Sequence, residues 1–124
     1  MLDLDHFRRF NDLHGHLVGD AALRETAQSL IRILRPYDLL GRFGGEEFVI
    51  LAPDTPLEGA ASLAERARAT IEALPVVGGQ PGLTASFGVT AARRGEPDVD
   101  ALFRQADDAL QRARTAGRNR VETW

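Results

Sequence analysis

The sequence predicts an α+β domain in which helices pack against a mostly antiparallel central sheet. Two adjacent glycines, Gly44 and Gly45, stand between apolar, strand-like runs at 39–43 and 47–52. Glycine enters the positive-φ conformations of tight turns without steric cost, so this pattern predicts a two-residue β-hairpin. The other strand-like segments alternate with segments of helical periodicity, and this order favours helices layered on a sheet.

The first strand is predicted at the start of the chain. Leu2 and Leu4 alternate there with Asp3 and Asp5. Successive side chains of a strand point to opposite faces of the sheet. The two leucines are therefore expected inside, and both acids on the other, polar face.

Two helices are predicted next. Apolar residues recur at three- and four-residue steps over 7–17, which predicts a helix with a loose end near Gly15. A second apolar stripe starts after Asp20, which is expected to be the N-cap of its helix. This helix should end before Pro36, because a proline disfavours the helical conformation of the residue that precedes it.

The second half of the chain alternates helix and strand. Thr55 and Glu58 form a capping box, with Pro56 at the first helical position, which predicts a helix that runs to about Leu74. Asp98 is the predicted N-cap of the last helix. The remaining predicted segments are a glycine-rich loop at 76–82, a strand at 83–91, the last helix at 98–117 and a short strand at 121–124.

Composition limits the class of protein. A chain of 124 residues is one domain, and its net charge of −3 argues against a protein that coats nucleic acid. The absence of cysteine excludes a disulfide framework. No apolar run reaches the ~18–20 residues of a membrane span, and no signal peptide is recognisable. We therefore expect a cytoplasmic segment without membrane contact, in a parent protein that could itself be membrane-anchored.

Acidic residues concentrate at the predicted hairpin and first strand. Glu46 and Glu47 directly follow the two glycines, and Asp3 lies in the first strand. If these strands are neighbours, carboxylates from distant parts of the chain come within reach of one divalent metal ion. A solvated hairpin tip and a frayed polar terminus are the simpler alternatives.

Several motifs in this order resemble the GGDEF domains of diguanylate cyclases. The run at 44–48 is similar to the family signature, in its Gly-Gly-Glu-Glu-Phe variant. Residues 3–20 resemble the family block D-x-D-x-F-K-x-x-N-D-x-x-G-H-x-x-G-D. The S-x-G, A-D and G-R-N elements of the family are matched at 86–88, 106–107 and 117–119. The resemblance implies a nucleotidyl-cyclase or polymerase-palm fold with a ferredoxin-like core.

The resemblance also implies the reaction and its metal. The family condenses two GTP into cyclic di-GMP and pyrophosphate, with Mg²⁺ or Mn²⁺ as the implied cofactor. By motif match, the metal ligands are the side chains of Asp3 and Glu46 and the backbone carbonyl of Leu4. Glu47, together with Glu46, is expected to be catalytic, by orienting the attacking hydroxyl or by contacting the metal ion.

GTP binding is implied at five further positions. Asn11 and Asp20 match the family's guanine-binding residues, and an amide with a carboxylate offers the acceptors and the donor that guanine requires. Arg114 and Arg118 match the family's Lys-x-x-x-Arg pair for the triphosphate, and Arg8 replaces another family lysine. The simpler alternatives are a polar helix residue for Asn11, an N-cap for Asp20 and favourable charges at a helix C-terminus for the arginines.

A second nucleotide site is implied by Arg35 and Asp38, which resemble the family's R-x-x-D inhibitory site for cyclic di-GMP. Arg66, on the predicted helix after Thr55, would reach this site from a neighbouring subunit. The alternative is that Arg35 only closes the C-terminal end of the preceding helix, where a cation is favoured.

The implied partners are GTP, cyclic di-GMP, a second copy of the chain in a transient homodimer, and a regulatory input domain in the parent protein. No nucleic-acid partner is expected. Residues 1–124 are expected to be a single GGDEF domain that lacks the family's usual N-terminal segment. Two alternatives stay open: a non-catalytic module that binds cyclic di-GMP, and a polymerase-palm or adenylyl-cyclase-like domain, which does not explain the full order of motifs.

Overall fold

The computed structural model describes residues 1–75, 82–92, 95 and 98–124. The predicted loop at 76–82 lies outside the described residues, except for Gly82. The described elements are, in order, β1 (Leu2–Leu4), α1 (Phe7–His14), α2 (His16–Ile33), β2 (Leu39–Arg42), β3 (Glu47–Leu51), α3 (Leu57–Glu72), β4 (Ala85–Val89), α4 (Val99–Thr115) and β5 (Val121–Thr123).

The strands form a sheet in the order β2-β3-β1-β4-β5. β1 lies between β3 and β4 and pairs antiparallel with both, and β2 pairs antiparallel with β3. β4 and β5 run parallel. The predicted α+β class with a mostly antiparallel sheet is confirmed.

Different helices cover the two faces of this sheet. Leu2, Phe48 and Phe87 are cross-strand neighbours on one face, and they belong to the apolar core that α1, α2 and α3 complete. α4 packs on the other face of β4. It approaches so closely that a Cβ atom on Gly88 would lie 2.0 Å from the carbonyl oxygen of Ala106. Side chains that alternate with the core residues along the strands therefore point to the α4 side.

One predicted helix start is confirmed and another is wrong. Asp98 caps α4, since its carboxylate accepts the Ala101 amide at 3.0 Å. α2, in contrast, starts at His16, directly after Gly15, whose φ of 86° separates it from α1. Asp20 consequently lies within the helix and is not its N-cap. Its carboxylate is left for another role.

The predicted capping box of α3 does not form. The helix begins at Leu57, so that Pro56 occupies the N-cap position without a side-chain hydrogen bond. The Thr55 hydroxyl donates instead to the Pro53 carbonyl oxygen at 2.9 Å. The helix itself is confirmed, because its start depends on the proline and its packing rather than on the threonine.

Candidate functional site

The acids of the first strand and of the hairpin meet at one end of the sheet. Asp3 and Glu47 are direct cross-strand partners. The Leu4 amide donates to the Glu46 carbonyl oxygen at 3.2 Å. Because the N–H and C=O groups of a strand residue point to the same edge, the Leu4 carbonyl also faces Glu46. The structure thus brings together all four residues predicted for the metal and catalysis.

The hairpin that carries the two glutamates forms by a different turn from the predicted one. Four loop residues, 43–46, separate the strands, and neither Gly44 nor Gly45 has a positive φ. A Cβ atom on Gly44 would lie 2.7 Å from Glu47 Oε2, so this glycine makes room for the Glu47 carboxylate. Arg42 closes the loop from outside, with hydrogen bonds of 2.7–3.2 Å to the carbonyl oxygens of both glycines.

Arg114, in the last turn of α4, lies between two of these acids. Its Nη2 atom is 2.5 Å from Asp3 Oδ2 and 3.5 Å from Glu47 Oε1. The packing of α4 on the sheet delivers this guanidinium to the end of β1. A residue predicted to bind triphosphate therefore pairs with one acid predicted to bind metal and one predicted to be catalytic.

Asp3 is strongly affected by its surroundings. Its side chain is buried, and burial is the main cause that raises its pKa to about 6; the nearby carboxylates of Glu46 and Glu47 add to the rise. Arg114 opposes the shift through its charge and its hydrogen bond. Arg114 is one cation beside the three carboxylates of Asp3, Glu46 and Glu47, so it balances their charge only in part.

This charge and the donor set fit a magnesium site. Within residues 1–75, 82–92, 95 and 98–124, no three acidic or histidine side chains already enclose a metal position. The groups that converge on Asp3 are nevertheless carboxylate and carbonyl oxygens, which are the hard ligands that Mg²⁺ takes in proteins. Asp3, Glu46 and the Leu4 carbonyl would hold the ion once Arg114 turns away.

The candidate guanine residues lie close together where α1 and α2 meet. The Oδ1 atom of Asn11 is buried and has no hydrogen-bond partner in the described part of the chain. A Cβ atom on Gly19 would lie 1.7 Å from this oxygen, so the close contact requires a glycine. Asp20, the next residue, is exposed. An unpaired buried acceptor beside an exposed carboxylate suits a ligand with several N–H donors.

The candidate phosphate-binding arginines lie on three elements. Arg8 is exposed on α1, and Arg114 is paired with the acids. Arg118 is exposed in the turn after α4, where its φ of 63° is left-handed and its amide donates to the Ala113 carbonyl oxygen at 3.0 Å.

The R-x-x-D segment forms a local turn after α2. The Arg35 amide donates to Asp38 Oδ2 at 2.8 Å, whereas Asp38 Oδ1 is buried without a partner in the described residues. The Arg35 guanidinium is exposed over the Tyr37 ring, at 5.9 Å from its centroid. Arg66, not Arg35, contacts the end of α2, where it donates to the Ile33 carbonyl oxygen at 3.3 Å. Arg35 directly follows the C-cap Leu34, so the alternative that it only closes this helix stays open.

Comparison with known proteins agrees with this geometry. The family profile described as "Diguanylate cyclase, GGDEF domain" matches residues 1–120. The chain belongs to the GGDEF family. The fold of this GGDEF domain is also that of solved family members, which confirms the expected palm-like architecture.

Three relatives show the extent of the similarity. Diguanylate cyclase DgcP of Pseudomonas aeruginosa is 49% identical over 98% of this chain, and this chain spans only 18% of DgcP. The active GGEEF domain of a diguanylate cyclase from Vibrio cholerae matches with a TM-score of 0.93 and 32% identity, over 99% of this chain and 79% of that one. The GGDEF domain of DgcB from Caulobacter crescentus was solved in complex with c-di-GMP. It matches with a TM-score of 0.88 and 32% identity, over 98% of this chain and 72% of that one.

Asp5 makes contacts that the sequence pattern did not predict. It was expected with Asp3 on the polar face of the first strand, and in the structure it is 5% exposed and accepts hydrogen bonds from Thr84, Ser86 and Asn119. The signal was present in the alternation of Thr84 and Ser86 at the start of β4, which marks a polar row next to β1. In the described part of the GGDEF domain, no helix combines the length and the apolar character that crossing a membrane requires.

The raised pKa of Asp3 predicts how the metal-free GGDEF domain responds to pH. A carboxyl that titrates near 6 when folded and near 3.8 when unfolded stabilises the fold fully below the lower value, and this contribution is lost as the pH rises through 6. The whole loss should be about 3 kcal/mol, and about 1.4 kcal/mol of it should fall between pH 5 and pH 7.5. Urea unfolding in EDTA at pH 5 and pH 7.5 measures it. Asp3→Asn is the control, since its unfolding free energy should lack this decrease; parallel pH profiles would contradict the assignment.

Proposed function

We propose that this GGDEF domain is the catalytic domain of a diguanylate cyclase, which condenses two GTP molecules into cyclic di-GMP and two pyrophosphates. The observation that carries the proposal is the pairing of Asp3 with Glu47, which sets the first strand beside the glycine–glutamate hairpin. The relatives named diguanylate cyclase support it, and one of them is solved as an active GGEEF domain.

Asp3, Glu46 and the Leu4 carbonyl would hold Mg²⁺, or Mn²⁺ in its place. When bound, the ion supplies positive charge to the phosphates and lowers the pKa of the attacking hydroxyl. Arg114 exchanges its ion pairs with Asp3 and Glu47 for triphosphate oxygens, joined by Arg118 and Arg8. Its guanidinium suits this exchange because it binds carboxylate and phosphate with the same planar fork.

Glu47 orients the attacking 3′-hydroxyl of the ribose. In each half of the reaction, the 3′-oxygen bonds to the α-phosphorus of the other nucleotide, the bond from that phosphorus to the β-phosphate breaks, and the hydroxyl proton leaves to solvent. Such transfer depends mainly on positioning and on charge neutralisation. A half-buried carboxylate at the first residue of β3, next to Gly44, is placed for that role.

Asn11 and Asp20 select guanine. The buried Oδ1 of Asn11 accepts one of the base's N–H groups, its amide nitrogen donates to O6, and Asp20 accepts the remaining N–H groups. Adenine presents no N1–H and has an amino group in place of O6. It would leave the Asn11 acceptor without a partner, which costs about 1–3 kcal/mol for a buried group.

The proposal is tested by incubating the chain with GTP and Mg²⁺ and separating the nucleotides by chromatography. The expected products are cyclic di-GMP and pyrophosphate, with none formed in EDTA or from ATP. Binding of cyclic di-GMP without any turnover would instead support the alternative of a non-catalytic binding module. The observation that favours a binding module is the buried Oδ1 atom of Asp38, which has no hydrogen-bond partner in the described residues and could accept from a ligand.

Turnover should require two copies of the chain. One site holds one GTP, and the product needs two, so two domains must meet face to face in a transient homodimer. We expect the rate per mole of enzyme to fall on dilution, because a transient dimer dissociates. A rate per mole that stays constant down to nanomolar enzyme would contradict this requirement.

A second site for cyclic di-GMP is proposed at Arg35 and Asp38, with Arg66 contributed by a neighbouring subunit. The exposed Arg35 guanidinium can donate two parallel hydrogen bonds to O6 and N7 of guanine, a contact worth about 1–3 kcal/mol. Arg35→Ala should therefore weaken cyclic di-GMP binding by about 5- to 150-fold in calorimetry, with GTP binding unchanged. Arg32→Ala, an exposed arginine on α2, is the matched control. Equal affinity in both variants would place the dinucleotide elsewhere.

Regulation by an input domain completes the proposal. This chain spans 18% of DgcP and 29% of a diguanylate cyclase of Escherichia coli, DgcM, so these relatives consist mostly of other sequence. A parent protein of similar length would supply the signal that pairs two GGDEF domains.

A further inference from the structure

We infer that Asp5 is a positioning residue that holds the turn after α4, residues 117–119, so that Arg118 faces the nucleotide phosphates. The inference rests on the proposed GTP site and adds a residue to which that proposal gives no role. It follows from two sets of contacts and from the backbone conformation of this turn.

The first set surrounds the Asp5 carboxylate. Oδ1 accepts the Ser86 hydroxyl at 2.6 Å, and Oδ2 accepts the Thr84 hydroxyl at 2.7 Å and the Asn119 amide at 3.0 Å. The three donors come from β4, from the residues before it and from the turn after α4. None of them is a cation, so among the described residues this buried carboxylate is stabilised by hydrogen bonds from neutral donors.

The second feature is the conformation of the turn itself. Gly117, Arg118 and Asn119 have φ values of 118°, 63° and 45°. Left-handed conformations cost about 1–2 kcal/mol for a residue such as arginine, because its Cβ approaches the following carbonyl. Successive residues keep such values only where the surroundings enforce them. The Asp5 bond to the Asn119 amide is one of the contacts that enforce them.

The second set of contacts anchors the same turn to α3. Asn119 Oδ1 accepts Arg68 Nη1 at 2.7 Å, and Asn119 Nδ2 donates to Glu72 Oε1 at 2.8 Å. The backbone of Asn119 is thus fixed by β1 and its side chain by α3. Arg118 is exposed and lies between this anchor and the end of α4.

These contacts tie the phosphate side of the site to the metal side. Asp5 directly follows Leu4 and is two residues after Asp3, at the end of the strand that would hold the metal ion. A single carboxylate therefore fixes the distance between the candidate metal ligands and the turn that carries Arg118. Without it, the turn can relax to ordinary φ values, and Arg118 would swing away from the site.

Asp5 could instead serve only the stability of the fold, and the two roles predict different binding. Loss of stability alone weakens all nucleotides alike. A displaced Arg118 weakens the contact with the β- and γ-phosphates but leaves the guanine contacts of Asn11 and Asp20 unchanged. The ratio of the dissociation constants for GMP and GTP, measured by calorimetry with Mg²⁺, separates the two roles.

In Asp5→Ala, we expect GTP to bind about tenfold more weakly, the size of effect that losing one hydrogen bond to a charged group has, while GMP affinity stays within about twofold. Asp5→Asn should restore GTP binding, because its amide oxygen can still accept the Asn119 amide while Ser86 turns to accept the new N–H₂ group. Thr84→Val is the matched control: it removes a bond to the same Oδ2 atom but none to the turn, so the ratio should not change. In an Arg118→Ala background, Asp5→Ala should have no further effect on GTP.

An unchanged ratio in Asp5→Ala, or a full additional loss in the Arg118→Ala background, would overturn the inference. If Asp5→Ala does not fold, Asp5→Ser decides: its shorter side chain stays polar but loses the bond to the Asn119 amide, and an unchanged ratio again overturns the inference. A parent chain that does not prefer GTP to GMP overturns it as well. A parent chain that shows the preference but makes no cyclic di-GMP contradicts the proposed activity alone, and the ratio still decides the role of Asp5.

Discussion

Glu46→Ala should reduce Mg²⁺-dependent GTP turnover by at least about 100-fold, since even residues that only orient a metal ligand typically contribute 10- to 100-fold. The fold should survive, because the contact that Glu46 makes with β1 uses its backbone carbonyl, which accepts the Leu4 amide at 3.2 Å. Alanine keeps that carbonyl and loses only the carboxylate. Initial rates of cyclic di-GMP formation at saturating GTP measure the effect.

The matched control for this change is Glu25→Ala, which removes the same charge from an exposed position of α2. Its rate should equal that of the parent chain. Comparable circular dichroism spectra of the two variants would show that the loss in Glu46→Ala is chemical. Unchanged turnover in Glu46→Ala would remove this residue from the metal site.

Gly88→Ala should lower the free energy of unfolding by at least about 3 kcal/mol, at the upper end of the effects of overpacking. The new Cβ would lie 2.0 Å from the Ala106 carbonyl oxygen, 2.3 Å from the Leu110 amide nitrogen and 2.8 Å from Leu110 Cα. All three atoms are backbone, so no rotamer change relieves the clash and α4 must move away from the sheet. Because α4 carries Arg114 to the acids of β1, nucleotide binding should be lost together with stability.

Gly41→Ala is the control for that prediction. Gly41 also lies in a strand, but a Cβ there would have no atom within 4 Å. Its unfolding free energy should stay within about 0.5 kcal/mol of the parent value. Urea unfolding followed by circular dichroism compares the two variants. A decrease below about 1 kcal/mol in Gly88→Ala would mean that α4 is less tightly packed than the structure indicates.

The elements of the fold were predictable because their patterns are local. The alternation around Asp3 and the apolar stripe of α2 depend on spacing alone, and both elements form. The errors lie where two local signals compete. Asp20 looked like an N-cap before an apolar run, but the positive φ of Gly15 ends α1 and lets α2 start at His16. A capping residue inside a helix cannot be distinguished by composition from one at its end.

The glycines of the hairpin show a second limit of sequence reasoning. They were assigned to positive φ, the common reason for glycine in a turn. In the structure, Gly44 instead leaves room for a side chain, since a Cβ there would approach Glu47 Oε2 to 2.7 Å and displace the carboxylate. A Cβ atom on Gly19 would likewise lie too close to the Asn11 side chain, at 1.7 Å from its Oδ1 atom. Steric demands between residues are a property of packing, and a single sequence carries no record of them.

The candidate site was predictable in its members but not in its contacts. Motif order assigned Asp3, Glu46 and Arg114 to one site, and the pairing of β1 with β3 brings the acids together. Arg114 lies against Asp3 and is not free to bind phosphate, because the position of α4 on the sheet brings the two side chains together. The burial of Asp5 depends in the same way on Asn119, which is 114 residues away in the chain.

The position of a bound divalent ion tests the central claim most directly. Crystals of the chain grown with Mn²⁺ and a GTP analogue that resists cleavage between the α- and β-phosphates would locate the ion by its anomalous scattering. We predict a peak bounded by the carboxylates of Asp3 and Glu46 and the carbonyl of Leu4, with Arg114 turned from Asp3 towards the triphosphate. A peak elsewhere, with the ion pair between Arg114 and Asp3 intact, would contradict the account.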